Sequence, residues 1–314
     1  MNARRQSGIA LVLALWITVL LAAIAGSFAF GMRSEALSAR NSVSVAEARA
    51  AADGAIERMT FELQRPRLQD AWVADGQPHK WDDGNVSLVV TAADETSKVD
   101  INFAQDALLR GLLMNVGGLD ADSATKIVDA MLDWRDPDEL RRPNGAEAAD
   151  YVAAGLKYVP ANLPFETTGE LARVLGMTPA LFAKIGPSIT VHSRSQGVNP
   201  ATATRDVLLA LPNATPEAVD AFIALRTEAL AAKLPVPPFA PASGLSANPS
   251  QTWRIRAEAS LSDGVTFVRE AVVRPAQDPR RVLIVLAWEE GARPATAPAA
   301  PNPSAVTASA DGRK

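Results

Sequence analysis

A chain of 314 residues with a formal charge of −4 is long enough for one large or two ordinary domains and has no basic field to draw it to nucleic acid. It has no cysteine, which excludes disulfides, thiolate nucleophiles and thiolate metal sites. Its only histidines, His79 and His192, stand far apart in the sequence and argue against a histidine-built zinc site.

Residues 1–8 read MNARRQSG, a short polar stretch made basic by Arg4 and Arg5. From Ile9 to Met32 no residue is charged. As a helix rising 1.5 Å per residue, that run crosses a hydrocarbon core of roughly 30 Å. The arginines ahead of it favour a cytoplasmic N-terminus with the remainder outside. Three readings compete. A signal peptide would be cut near Ala23-Ile24-Ala25, but this run exceeds an h-region of roughly 7–15 residues and continues unbroken into a helical pattern. A plain signal anchor would stay uncut. A prepilin-type leader would be cut after Gly8, leaving Ile9 as the first mature residue. Beyond Met32, Val45, Ala48, Ala52, Ile56, Met59 and Leu63 recur at three- or four-residue steps, one apolar face of an amphipathic helix that Pro66 stops. A helix running on from Ile9 to Arg65 would be about 85 Å long, half of it in the membrane and half against a globular head.

Residues 84–92 alternate as a strand, and 97–103 predict a second. From 105 to 233 the pattern is helical, with hairpins around Gly117-Gly118, around Gly176–Pro179 and around Pro212-Asn213. The first and third share a rhythm and predict a repeated helical hairpin. Residues 235–250 read as a linker or long loop. Residues 252–275 alternate on both sides of Ser262-Asp263-Gly264 and predict a β-hairpin, followed by one more strand at 280–290. Residues 291–314, rich in Pro, Ala and Ser, predict a disordered tail. Strands on both sides of a helical block predict an α+β fold, one sheet interrupted by an inserted domain.

These residues resemble the K-type minor pseudopilin of the bacterial type II secretion system, general secretion pathway protein K. The Gly8 leader, DETSKVDIN at 94–102, LDWRDPDELRRPNGAEAADY at 132–151, PANLPFETTGELARVLGMTP at 160–179 and VNPATATRDVLLALP at 198–212 carry the resemblance. It implies a pilin-like long N-terminal helix packed on an antiparallel sheet, with a large all-helical domain inserted between strands. The corresponding boundaries are a leader at 1–8, the long helix at 9–66 with 9–32 transmembrane, the sheet domain at 67–104 and 234–290, the helical insert at 105–233 and the tail from 291. It further implies cleavage by prepilin peptidase between Gly8 and Ile9, methylation of the new amine, and a single-pass inner-membrane protein with a periplasmic head. The implied partners are the I and J minor pseudopilins, other pseudopilins, the inner-membrane assembly platform and membrane lipid, with no nucleic acid. The implied role is to cap the pseudopilus tip and help initiate its assembly for export across the outer membrane.

Two departures from ordinary pilins stand out. Major pseudopilins carry Glu at the fifth mature position, where it is thought to meet a neighbour's N-terminal amine; here that position is Leu13. A carboxylate in hydrocarbon is costly unless paired, and a subunit with nothing ahead of it has no amine to meet, so Leu13 suits the tip. The first mature residue is Ile9, where Phe or Met is commoner.

The stretch from Asp129 to Asp150 holds Asp129, Asp133, Asp136, Asp138, Glu139, Glu147 and Asp150 against Arg135, Arg141 and Arg142. Loop carboxylates at this density can wrap a hard cation or form a solvated acidic loop with local arginine pairing. The order is not that of an EF-hand, because Leu140 and Arg141 stand where the turn glycine belongs. The resemblance implies calcium in the inserted domain, with Asp136, Asp138, Glu147 and Asp150 as ligands and Asp133, one helical turn earlier, less involved. Two other function classes compete. LALPNATPEAVDAFIALR resembles a helix-hairpin-helix of a DNA-uptake pseudopilus component, but its Asn213-Ala214-Thr215 turn lacks the glycines that let backbone approach phosphate. A membrane-anchored periplasmic binding protein is the third. Neither a nucleophile motif, a P-loop nor a zinc-peptidase motif occurs, so no enzyme and no catalytic or cofactor-binding residues are expected.

Overall fold

The computed structural model describes residues 7–65, 72–232, 234–240, 243–246, 250–276 and 283–292. The leader through Gln6, the Pro66 stop and the tail from 293 lie outside these residues.

Helix α1, Ser7–Gln64, is one continuous helix of 58 residues. Its first half packs on none of the described residues: Leu11, Leu13, Trp16, Leu20, Phe28 and Phe30 are all exposed. Its second half buries Ala48, Ala52, Ala55, Ile56 and Met59. These follow the three- and four-residue steps read from the sequence, and the alanines bring the helix close to a sheet. That sheet has the order β1-β2-β5-β6-β7 with every pairing antiparallel. Its strands are β1 (His79–Asp83), β2 (Val86–Asp94), β5 (Trp253–Leu261), β6 (Thr266–Pro275) and β7 (Leu283–Glu290). Alternation puts Val86, Leu88, Val90 and Ala92 of β2, Ile255, Ala257 and Ala259 of β5, and Phe267, Ala271 and Val273 of β6 into the core under α1. Arg269 of β6 reaches Asp53 of α1 at 2.7 Å, with its guanidinium near the rings of Phe267 and Trp288. Ser44 ties α1 to Asp263 in the β5–β6 turn, where Gly264 takes a positive φ of 90°.

Between β2 and β5 the chain leaves the sheet and builds a second unit, so the α+β class with a helical insertion between strands is the architecture found. The unit contains β3 (Val99–Asp100), α2 (Asp106–Gly111), α3 (Ala121–Arg135), α4 (Ala148–Ala153), α5 (Pro179–Ile185), β4 (Ile189–Thr190), α6 (Arg205–Leu209) and α7 (Pro216–Ala231). A single π turn, Leu112–Val116, follows α2. The hairpins α2–α3 and α6–α7 meet at the α2 and α6 ends. Asn115 donates to Leu209 O at 2.7 Å, and a Cβ on Gly111 would lie 2.0 Å from Ala210 O. The insert has its own core, which includes Leu108, Leu112, Val128, Leu171, Ile185 and Val207, separate from the core under α1.

The structure departs from the sequence expectations in two places. The strand expected at 97–103 is only Val99–Asp100, and it pairs in parallel with Ile189–Thr190 inside the insert instead of joining the main sheet. The Asp100 carboxylate accepts the Asn102 N–H and turns the chain immediately after the pair. The helical unit therefore starts ahead of 105. Strand β1 was not expected: HKWDD is polar and only partly covered at the sheet edge, so it shows no apolar alternation.

Candidate metal centre

Helix α3 begins at an Asp120 cap that accepts the Ser123 N–H, and it ends where Pro137 forces Asp136 into extended backbone at ψ 156°. Asp129 and Asp133 lie one turn apart on its buried face. The loop that follows folds back over them. Asn144 donates its backbone N–H and its Nδ2 to Asp129 at 3.2 and 3.1 Å. Arg142 N lies 3.3 Å from both Asp133 oxygens, and the Arg142 Nε is 3.6 Å from Oδ1. Gly145 crosses so close that a Cβ there would meet Asp133 Oδ2 at 1.9 Å and force that carboxylate to shift.

Glu147 stands at the start of α4. It is 5% exposed, and neither carboxylate oxygen has a hydrogen-bond donor. Burial first, and then the negative charges of Asp133, Glu139, Asp136 and Asp138, push its pKa up to about 7. Asp136 likewise buries an Oδ1 without a donor, and its pKa is raised by burial and then by Asp138. Burial raises Asp133 as well, against the lowering effect of the Arg142 N–H. Asn162, at φ 50°, bonds Glu139 Oε1 through Nδ2 at 3.1 Å while its buried Oδ1 has no donor. The floor is aromatic: Trp134 stacks on Phe165 and lies near Tyr151 and Tyr158.

The four expected ligands are thus placed unequally. Glu147 and Asp136 present unpaired buried oxygens to a shared negative field. Asp138 is exposed and accepts the Leu140 N–H at 2.8 Å. Asp150 is occupied, accepting the Glu147 N–H at 3.0 Å and pairing with Arg141 at 2.9 Å. Asp133, set apart in the sequence reading, is fully buried beside Glu147 and Asp136. Among the described residues no three Asp, Glu or His side chains stand together as a ready cation cage. The donors present are nevertheless all hard oxygens, and the orphaned acceptors lack a hydrogen-bond donor, a need that a bound hard cation meets.

Gly8 and Ile9 lie in the first turn of α1, and Leu13 is exposed on its unpacked half. The α6–α7 turn puts Asn213 at φ 62°, caps α7 with Thr215, and pairs Arg205 with Asp220 at 2.6 Å.

Residues 85–194, from β2 through β4, match the profile of the type II secretion system protein K. Protein K of Klebsiella pneumoniae is 26% identical over 204 residues, which is 59% of this chain and 62% of that protein. The Pectobacterium carotovorum protein K is 31% identical over 121 residues, covering 38% and 37% of the two chains. That of Dickeya chrysanthemi is 38% identical over 79 residues, 25% of this chain and 21% of its own. The chain therefore spans less than two thirds of the length of each. A chain in the crystal structure of the GspK-GspI-GspJ complex from enterotoxigenic Escherichia coli superposes with a TM-score of 0.58 at 18% identity, over 82% of this chain and 99% of that one. At that identity the likeness is one of fold alone.

Proposed function

We propose that this chain is a minor pseudopilin of the type II secretion system, seated at the pseudopilus tip, where it caps the filament and helps initiate its assembly for export across the outer membrane. The observation that carries the reading is a single helix, half apolar and unpacked, half buried on a sheet, joined to a protein K insert. The unpacked half is an anchor in the inner membrane before assembly and a filament core after it, with the head in the periplasm. Leu13 supports the tip position, because an apolar side chain there needs no partner amine. The fold likeness to a GspK-GspI-GspJ complex supports the I and J minor pseudopilins as neighbours. The role is structural, not catalytic.

In this reading the acidic loop takes calcium. Glu147 and Asp136 supply its central ligands, with Asp133 and Asp138 beside them. Asp150 contributes least, since its oxygens already hold the Glu147 N–H and Arg141. The cation would neutralise the crowded carboxylates and fix the loop over α3.

Mass spectrometry of the mature N-terminus tests the first part. A start at Ile9 with a methylated amine is expected; a start near Gly26 would overturn it. Co-purification of the detergent-solubilised chain with I- and J-type subunits tests the neighbours, and a chain that stays alone with both would count against them. Calorimetric melts with calcium and with chelator test the loop; identical midpoints would remove the metal.

A further inference from the structure

The two hydrophobic cores of this molecule do not merge, so apolar packing is not what sets the angle between the insert and the sheet. The join is polar and buried. The chain leaves the sheet through Asp94, Glu95, Thr96 and Ser97, all nearly inaccessible to solvent. It returns through 250–253 beside them: Ser250 Oγ donates to Asp94 Oδ1 at 2.9 Å, and Glu95 N donates to Thr252 O at 2.9 Å. A cleft of about 670 Å³ opens at this join between the end of α1, Asp94, Trp253 and, from the insert, Asn199, Thr202 and Leu230. The insert is therefore borne on a narrow neck.

Among the described residues, the Glu95 side chain spans that neck. Glu95 is 1% exposed, and its two oxygens divide between the units. Oε1 accepts from Arg254 Nε of β5 at 2.8 Å, and Oε2 accepts the hydroxyl of Thr190 on β4. The charges around it are crossed in the same sense. Lys98 and His192, on the insert side, feel Glu95 and Arg254, Lys98 also Glu270 of β6, and His192 also Asp100 and Glu289 of β7. Arg256 pairs with Glu270 at 2.8 Å inside the sheet and does not cross the neck.

We propose that Glu95 is a latch that locks the insert to the sheet, and that without it the insert swings about the two neck crossings. An apolar contact tolerates sliding, whereas a buried carboxylate with one donor from each unit is satisfied in a single arrangement. The lock stands apart from the chain's place in a filament. Its consequence there, that displacement along α1 carries the insert as one piece, rests on the proposed function.

The absence of cysteine makes the test direct, because introduced thiols are the only labels. Spin labels on Asp83→Cys in the sheet and Lys126→Cys in the insert, in the full chain in detergent, report the distance distribution between the units. A single narrow peak is expected, broadened at least twofold by Glu95→Gln and by Arg254→Gln, and left narrow by Arg256→Gln. If Glu95→Gln fails to fold, Arg254→Gln, which leaves the Thr190 contact in place, decides alone. Narrow peaks in the folded neck variants, or equal broadening by Arg256→Gln, would overturn the latch.

Discussion

The sheet body and the insert are stabilised in different ways. In the body one helix face meets one sheet face, and the partners repeat every three or four residues along α1 and every second residue along β2, β5 and β6. In the insert short helices meet at single points. Gly111 passes against Ala210 O, Gly145 passes against Asp133, and two-residue strands pair across ninety positions of sequence. A periodic interface spreads its energy over many equivalent contacts, so it tolerates change by degrees. A point contact has no neighbour to share the load, so one added atom is felt in full.

That contrast orders two substitutions. Gly111→Val is expected to have the largest effect, because its Cβ would overlap a backbone carbonyl rather than a side chain that can turn away. Overpacking that side chains can absorb costs about 1–3 kcal/mol; here backbone must move, so the cost is expected to exceed the roughly 5 kcal/mol upper end of a large-to-small core change, enough to separate the insert's calorimetric transition from that of the body. Ile56→Ala, at the centre of the helix–sheet contact, should cost about 2–5 kcal/mol. It should lower the body's transition and leave the insert's in place, since the two cores are separate. A single cooperative transition that moves equally for both variants would break the comparison.

The same contrast explains what could be read from the sequence. The packed half of α1, β2 and the β5–β6 hairpin were legible because their burial is periodic, and β7 because LIVLAW is a short apolar run. Strand β1 was not, because an edge strand with HKWDD needs no apolar face. The helical character of the insert was legible, while the β3–β4 pairing was not, because two residues carry no period and their partner is distant in sequence. At the acidic loop, the resemblance pointed to Asp136, Asp138, Glu147 and Asp150, and of these the fold leaves unpaired buried oxygens on Asp136 and Glu147. The seclusion of Asp133 depends on Gly145 crossing over it, and only the folded chain shows that. The engagement of Asp150 did have a signal, the three-residue spacing from Glu147 that lets one side chain cap the other's N–H.

A smaller effect sharpens the comparison inside the loop itself. Gly145→Ala puts a methyl carbon into the Asp133 carboxylate, which can shift further than a backbone carbonyl can. It should cost about 1–3 kcal/mol and weaken any response of the melt to calcium, where Gly111→Val leaves that response intact.

The smallest effect is a slope rather than a step. Glu147 has a pKa of about 7 in the folded chain against an ordinary value of 4.5, so between those values the folded state binds a proton that the unfolded state does not. The stabilisation is therefore full at low pH and is lost as pH rises through about 7. Burial raises Asp133 and Asp136 too, and they act in the same direction. The melting temperature of the metal-free insert should fall from pH 5 to pH 8, and Glu147→Gln, which cannot ionise, should flatten that fall. A hard cation favours the ionised carboxylates, so calcium should raise the midpoint more at pH 8 than at pH 5. In the body, burial raises Asp94 at the end of β2, so the body's transition, followed in an Asp94→Asn background, supplies the internal control. Equal slopes in both transitions would show that the crowded carboxylates around Glu147 do not set the pH response of the insert.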